Sequence, residues 1–97
     1  VWRLALLLGS LAFAALPGRA HAHGALRRSV PASGAHLAAA PRQLRLTFNE
    51  RVELAVARLE LFGPGDRAVP LSALRAGDSA TTVVADVTGP LTAGTYT

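Results

Sequence analysis

The chain has 97 residues, a formal net charge of +4 and no cysteine, which excludes both a disulfide framework and a thiolate metal site. All ten basic residues are arginine, and they are scattered along the chain without an accompanying set of aromatic side chains. This pattern argues against nucleic-acid binding. The length is sufficient for one small domain.

The N-terminal stretch has the three parts of an export signal. Arg3 supplies the positive charge, an apolar run follows from Leu4 to Leu16, and Ala20-His21-Ala22 provides small residues at the −3 and −1 positions of a cleavage site. We predict a helical signal peptide over residues 1–22. The apolar run is shorter than the roughly 20 residues that a membrane-spanning helix needs. A retained signal anchor, and cleavage after Ala20 instead of Ala22, are the alternatives.

Cleavage after Ala22 would make His23 the first residue of a mature domain spanning residues 23–97. The α-amine and the ring Nδ1 of an N-terminal histidine can close a chelate ring on one metal ion, and imidazole suits copper well. Cleavage after Ala20 would expose His21 and leave His23 third from the amine, which is also an arrangement that binds copper or nickel. The alternative is that both histidines are only polar residues beside a cleavage site.

The first half of the predicted domain contains two strands. Residues 25–30 suit a short strand, with Leu26 and Val30 as the expected inward side chains. The segment 31–34 is a turn, and His36 is expected to be a solvated loop residue. The clearest strand is Arg42–Phe48, where apolar and polar side chains alternate with a period of two.

The second half continues as short strands and turns. We predict extended chain over 52–57, strands over 58–62 and 81–87, and the start of a strand at 95–97. Residues 67–71 are expected to form an edge strand, because Pro70 cannot donate a ladder hydrogen bond. Residues 72–79 are expected to be a polar connection. Together these elements predict an all-β protein, an antiparallel β-sandwich whose last strands are missing from a fragment.

Four motifs in the same order resemble the CopC family of periplasmic copper-binding proteins. They are His-x-x-Leu from His23, Ser-x-Pro-Ala-x-Gly over Ser29–Gly34, the Leu-x-Leu-x-Phe-x-Glu segment ending at Glu50, and Pro-Leu-Thr-Ala-Gly-Thr-Tyr over Pro90–Tyr96. The resemblance covers about residues 20–97. It implies an immunoglobulin-like Greek-key sandwich that holds one Cu(II) ion.

The resemblance also implies the ligands and the setting. His23 matches the N-terminal histidine that chelates the ion, and Glu50 matches a glutamate near the family's site. The family's Asp-x-His segment would follow Thr97, and the Met-rich Cu(I) site of some members is not expected in a chain without methionine. The implied location is the periplasm, and the implied partners are the copper ion and a membrane copper-transport protein or fused transport domain.

We therefore expect a copper carrier or buffer in copper homeostasis or resistance, and not an enzyme. Cu(II) prefers nitrogen and oxygen ligands in tetragonal geometry, which a histidine chelate and a carboxylate can supply. The alternative is a metal-free exported immunoglobulin-like interaction module. An oxidative copper enzyme also uses an N-terminal histidine, but no constellation of catalytic side chains accompanies it in this sequence.

Overall fold

The computed structural model describes residues 24–97, so the predicted signal peptide and His23 lie outside the described residues. In this part of the chain every strand is short and antiparallel, and no α-helix is present. Two single 3₁₀ turns occur at Leu54–Val56 and Pro64–Asp66. Over residues 24–97 there is no helix with the length and apolar character needed to cross a membrane. The strands are β1 (Leu26–Val30), β2 (Gln43–Phe48), β3 (Leu61–Phe62), β4 (Ala68–Val69), β5 (Arg75–Ala76) and β6 (Thr82–Asp86).

The larger sheet has four strands in the order β1-β2-β6-β5. Its centre is the pairing of β2 with β6, in which Leu44 lies opposite Ala85 and Leu46 lies opposite Val83. All four of these side chains are buried. Directly opposed residues point to the same face of a sheet. The alternating apolar side chains of β2 and their partners on β6 therefore all point into the core.

The smaller sheet pairs β3 with β4 and is extended on the other side of β3 by the last residues of the chain. Phe62 and Thr97 exchange two backbone hydrogen bonds, each of 2.8 Å. Taken in chain order, the larger sheet has the A-B-E-D order of immunoglobulin-like sandwiches, while β3 and the 95–97 segment take the C and F positions. The prediction of an all-β antiparallel sandwich is therefore confirmed.

The core forms where the two sheets face each other. Leu44 of the larger sheet packs in one buried cluster with Leu61, Val69 and Tyr96. Because members of this cluster come from β2, β3, β4 and the C-terminal segment, its burial holds the two layers together. Partly buried apolar side chains surround it: Leu37, Leu59, Leu71, Val87 and Leu91.

Tyr96 forms a corner that closes one side of this core, which we call the Tyr96 corner. Its ring is 2% exposed, and its hydroxyl accepts a hydrogen bond from Thr92 N–H at 2.9 Å and donates one to the Thr92 carbonyl at 2.7 Å. A tyrosine bonded to backbone a few residues upstream is a hallmark of immunoglobulin-like sandwiches. A Cβ on Gly63 would lie 2.6 Å from the ring, so only glycine lets the backbone approach this closely.

One prediction about β1 is wrong. Val30 is 53% exposed and Ser29, at 7%, is the buried residue. The register of β1 against β2 shifts between Leu26 and Arg28, because an extra residue is accommodated there. A bulge of this kind reverses the alternation beyond it, so Leu26 and Ser29 face inward instead of Leu26 and Val30.

Two predictions about the middle of the chain also need correction. Residues 52–57 are not wholly extended, because Leu54–Val56 form a 3₁₀ turn where the chain leaves the larger sheet for the smaller one. The connection 72–79 contains a strand, β5, which pairs with β6. The chain passes from the smaller sheet to the larger one just after β4, where Leu71 forms an antiparallel bridge to Val87. This crossing brings β5 beside β6.

Candidate functional site

Of the two predicted metal ligands, only Glu50 lies within the described residues. Its side chain is exposed and comes two residues after the end of β2. His23 lies just before the described part of the chain, two residues ahead of Ala25. Two extended residues span at most about 7 Å, so chain connectivity limits how far the His23 Cα can lie from the Ala25 Cα.

Ala25 and Asn49, the near neighbours of these two residues, are joined by two hydrogen bonds. The Ala25 N–H donates to Asn49 Oδ1 at 2.8 Å, and the Asn49 N–H donates to the Ala25 carbonyl at 3.0 Å. We call this pair the Asn49 bracket. It prolongs the β1–β2 pairing beyond its last register position, Leu26 opposite Phe48. Ala25 and the residue before Glu50 therefore lie side by side.

The segment that carries Glu50 is also held from its other side. The Phe48 N–H donates to the Thr81 carbonyl at 2.9 Å, and the Val52 N–H donates to the Ala80 carbonyl at 3.0 Å. Residues 49–51 thus run between the first residues of the described chain and the turn that leads into β6. Their backbone is fixed on two sides, while the Glu50 carboxylate remains in solvent.

A bidentate ion pair lies at the opposite end of β2. Arg75 donates two hydrogen bonds of 3.0 Å to the Asp86 carboxylate, and Asp86 lies opposite Gln43, the first residue of β2. The hydrogen bond from Arg75 lowers the pKa of Asp86, and the same bond raises the pKa of Arg75. This pair orders the edge of the sheet and is remote from Glu50.

Other metal-binding side chains do not gather near Glu50 within residues 24–97. In this range no group of three or more His, Cys, Asp or Glu side chains is arranged to hold a metal ion. His36 is exposed in the loop between β1 and β2, as expected from the sequence. Whether His23 and Glu50 form a ligand pair stays a prediction.

Asn49 is the residue of this region that sequence reasoning missed. The sequence showed it only as the residue after a strand. The available signal was its type, because asparagine side chains often accept hydrogen bonds from backbone groups at element ends. Its partner is 24 residues away in the chain, and no local pattern identifies a partner at that separation.

Comparison with known proteins identifies one family. The family model described as CopC domain matches residues 26–97, which is most of the chain. The match begins at the first residue of β1 and includes every strand described above. No curated protein matches the chain.

Proposed function

The chain belongs to the CopC family, whose members are periplasmic copper-binding carrier proteins, and we propose that it carries or buffers Cu(II) in copper homeostasis or resistance. The family match over residues 26–97 is the observation that carries this proposal. The receiving partner in the proposal is a membrane copper-transport protein or a transport domain fused to this one.

In the proposed mechanism, export creates the metal site. Cleavage of the signal peptide 1–22 after Ala22 frees the α-amine of His23 beside its own imidazole. Both nitrogens belong to one residue, so the ion gains two ligands while only one side chain is ordered. Amine and imidazole must both be deprotonated to bind, and copper affinity should therefore fall as the pH drops below neutral.

Glu50 is the proposed carboxylate of the site. Its support is the Asn49 bracket, which joins residue 49 to residue 25 by two hydrogen bonds. In the proposal the exposed carboxylate is either a ligand of the ion or an acceptor for a hydrogen bond from a group bound to it. In both roles its negative charge attracts the divalent cation and so favours the metal-bound protein over the metal-free protein.

The N-terminal chelate is tested by titrating Cu(II) into the exported, signal-cleaved protein and into the same protein acetylated at its N-terminal amine. Acetylation converts the amine into an amide, which is no longer an amine donor, and so breaks the chelate ring. We expect a loss in affinity on the order of a hundredfold, because a direct ligand is lost and loss of an outer-shell group alone typically lowers affinity 10- to 100-fold. Equal affinity for both proteins would reject the chelate, and no Cu(II) binding by either would favour the metal-free interaction module.

The role of Glu50 is tested with Glu50→Gln against Glu53→Gln. Both residues are exposed carboxylates three positions apart, so both substitutions remove the same charge from the same region. Loss of a group that supports a metal site typically lowers affinity 10- to 100-fold. We expect about a tenfold loss for Glu50→Gln and less than twofold for Glu53→Gln. Equal losses would assign the effect to overall charge.

A further inference from the structure

We infer that Asn49 is a positioning residue for the metal site, because its side-chain oxygen holds Ala25 and thereby fixes where the chain emerges two residues after His23. This inference rests on the proposed function and adds a component to it. Asn49 does not contact the ion in this proposal. It acts through the backbone of Ala25.

The need for such a residue follows from the position of the chelate. A terminal residue is normally poorly ordered unless something ties it down. The residue next to His23 is Gly24, which has more backbone freedom than any other residue type. Ligands outside His23 can meet the ion only if the terminal residue stays near them, so restricting the chain at Ala25 reduces the ordering entropy of binding.

The Asn49 bracket provides this restriction at the last available position. Leu26 opposite Phe48 is the final register pair of β1 and β2. One residue further out, the Ala25 N–H is bonded to the Asn49 side chain at 2.8 Å. Without an acceptor at position 49, this N–H would turn to solvent and only the bond from Asn49 N–H to the Ala25 carbonyl would remain.

Gly24 extends the contact by one more residue. A Cβ built on Gly24 would lie 3.8 Å from Phe48 Cδ2, which is ordinary van der Waals distance. Gly24 therefore lies near the Phe48 ring at the end of β2. It is the one residue between Ala25 and the proposed chelate at His23.

The geometry also explains why Asn49 serves position more than overall stability. The Asn49 side chain is exposed, and its bond to Ala25 lies at the surface. Exposed hydrogen bonds exchange readily with water and contribute little to the free energy of unfolding. Removing the acceptor should therefore leave the protein folded while loosening the residues that precede β1.

The test compares Asn49→Leu with Asn49→Asp in the exported, signal-cleaved protein. Leucine keeps the branched shape of asparagine, although it is larger, and has no acceptor, whereas aspartate keeps an oxygen at the same place. Gln43→Leu is the matched control: it removes the side-chain amide at the opposite end of β2, which donates to Asp86 at 3.5 Å. All variants are first compared by urea unfolding, so that affinities are read only on folded protein.

We expect Asn49→Leu to weaken Cu(II) binding about tenfold, because binding must then also fix the backbone of roughly one more residue. Asn49→Asp should bind at least as tightly as the natural protein, and Gln43→Leu should match it within twofold. The electron paramagnetic resonance spectrum of bound Cu(II) should broaden only for Asn49→Leu, since a loosened terminus allows a mixture of ligand geometries. A residue that only supported the fold would leave that spectrum unchanged.

The outcomes separate this inference from the proposed function. If the natural protein binds Cu(II) through its N-terminus and Asn49→Leu binds with equal affinity and an identical spectrum, the role of Asn49 is rejected while the proposed function stands. Equal weakening by Asn49→Leu and Gln43→Leu would also reject it, because the effect would then be general. If the natural protein binds no Cu(II), the proposed function itself fails.

Discussion

The Tyr96 corner and the Asn49 bracket are built alike and differ in where they lie. Each uses one residue to make two hydrogen bonds to the backbone of a single other residue. Tyr96 contacts Thr92 at 2.9 and 2.7 Å, and Asn49 contacts Ala25 at 2.8 and 3.0 Å. Tyr96 is 2% exposed and belongs to the core cluster, whereas Asn49 is in solvent.

The number of hydrogen bonds alone does not assign a role to either residue. At the corner, the two bonds are partly buried and fix a ring that belongs to the core cluster, so we expect their loss to destabilise the whole domain. At the bracket, water replaces the lost bond, and the effect stays local. We therefore expect substitutions at the corner to act on stability, and substitutions at the bracket to act on the position of the N-terminus.

The largest effect is expected from truncating the corner. Tyr96→Ala removes a fully buried ring and should lower the free energy of unfolding by about 3–5 kcal/mol. Tyr96→Phe keeps the ring and removes only the hydroxyl, so we expect about 0.5–1.5 kcal/mol. Urea unfolding followed by circular dichroism measures both. A loss for Tyr96→Phe below about 0.5 kcal/mol would mean that burial alone, and not the bond to Thr92, distinguishes the corner.

The second effect tests how tightly the corner is packed. Gly63→Ala would place a Cβ 2.6 Å from the Tyr96 ring, and such overpacking should lower the free energy of unfolding by about 1–3 kcal/mol. Gly24→Ala is the control, because its Cβ would lie 3.8 Å from Phe48 Cδ2. We expect that variant to stay within about 0.5 kcal/mol of the natural protein. Similar losses at both positions would contradict the contrast between the two regions.

The third effect is expected at the Asn49 bracket, which is the exposed one of the two regions. Asn49→Leu removes one of the two bonds in the bracket, and we expect it to lower the free energy of unfolding by no more than about 1 kcal/mol. Tyr96→Phe should show the reverse pattern, with reduced stability and unchanged Cu(II) affinity in the folded protein. Urea unfolding and Cu(II) titration of both variants should therefore show lower affinity for Asn49→Leu and lower stability for Tyr96→Phe. If Asn49→Leu lowered the free energy of unfolding as much as Tyr96→Phe, the bracket would also support the fold.

The smallest effect on stability is expected from the exposed pair of Arg75 and Asp86. This pair belongs to neither the Tyr96 corner nor the Asn49 bracket, so it serves as the control for an ordinary surface contact. Arg75 lowers the pKa of Asp86 in the folded protein. The pair therefore stabilises the fold above the unfolded-state pKa of Asp, about 3.9, and this contribution is lost as the pH falls through the folded-state pKa. Asp86→Asn should be slightly less stable than the natural protein at pH 7, and equally stable near pH 2. A difference that persists at pH 2 would have another origin.

Local sequence was sufficient to identify most strands and the chemistry of the proposed site. The alternation of Leu44 and Leu46 with polar residues follows from the two-residue period of a strand, so it predicts both a strand and its inward face. The order of short motifs indicated the family, and the match over residues 26–97 confirmed it. The residue types at positions 23 and 50 indicated copper chemistry because ligand preference depends on the donor atoms themselves.

From residue type and short spacing alone, the sequence thus predicted most of the strands, the family and the candidate donor groups. Only the tertiary structure decided that Val30 faces outward, that Arg75–Ala76 pairs with β6, and that Asn49 meets Ala25. Each of these depends on the register between segments distant in the chain. Register is set by the pairing of whole strands and by a bulge in β1, and no single stretch of residues encodes it.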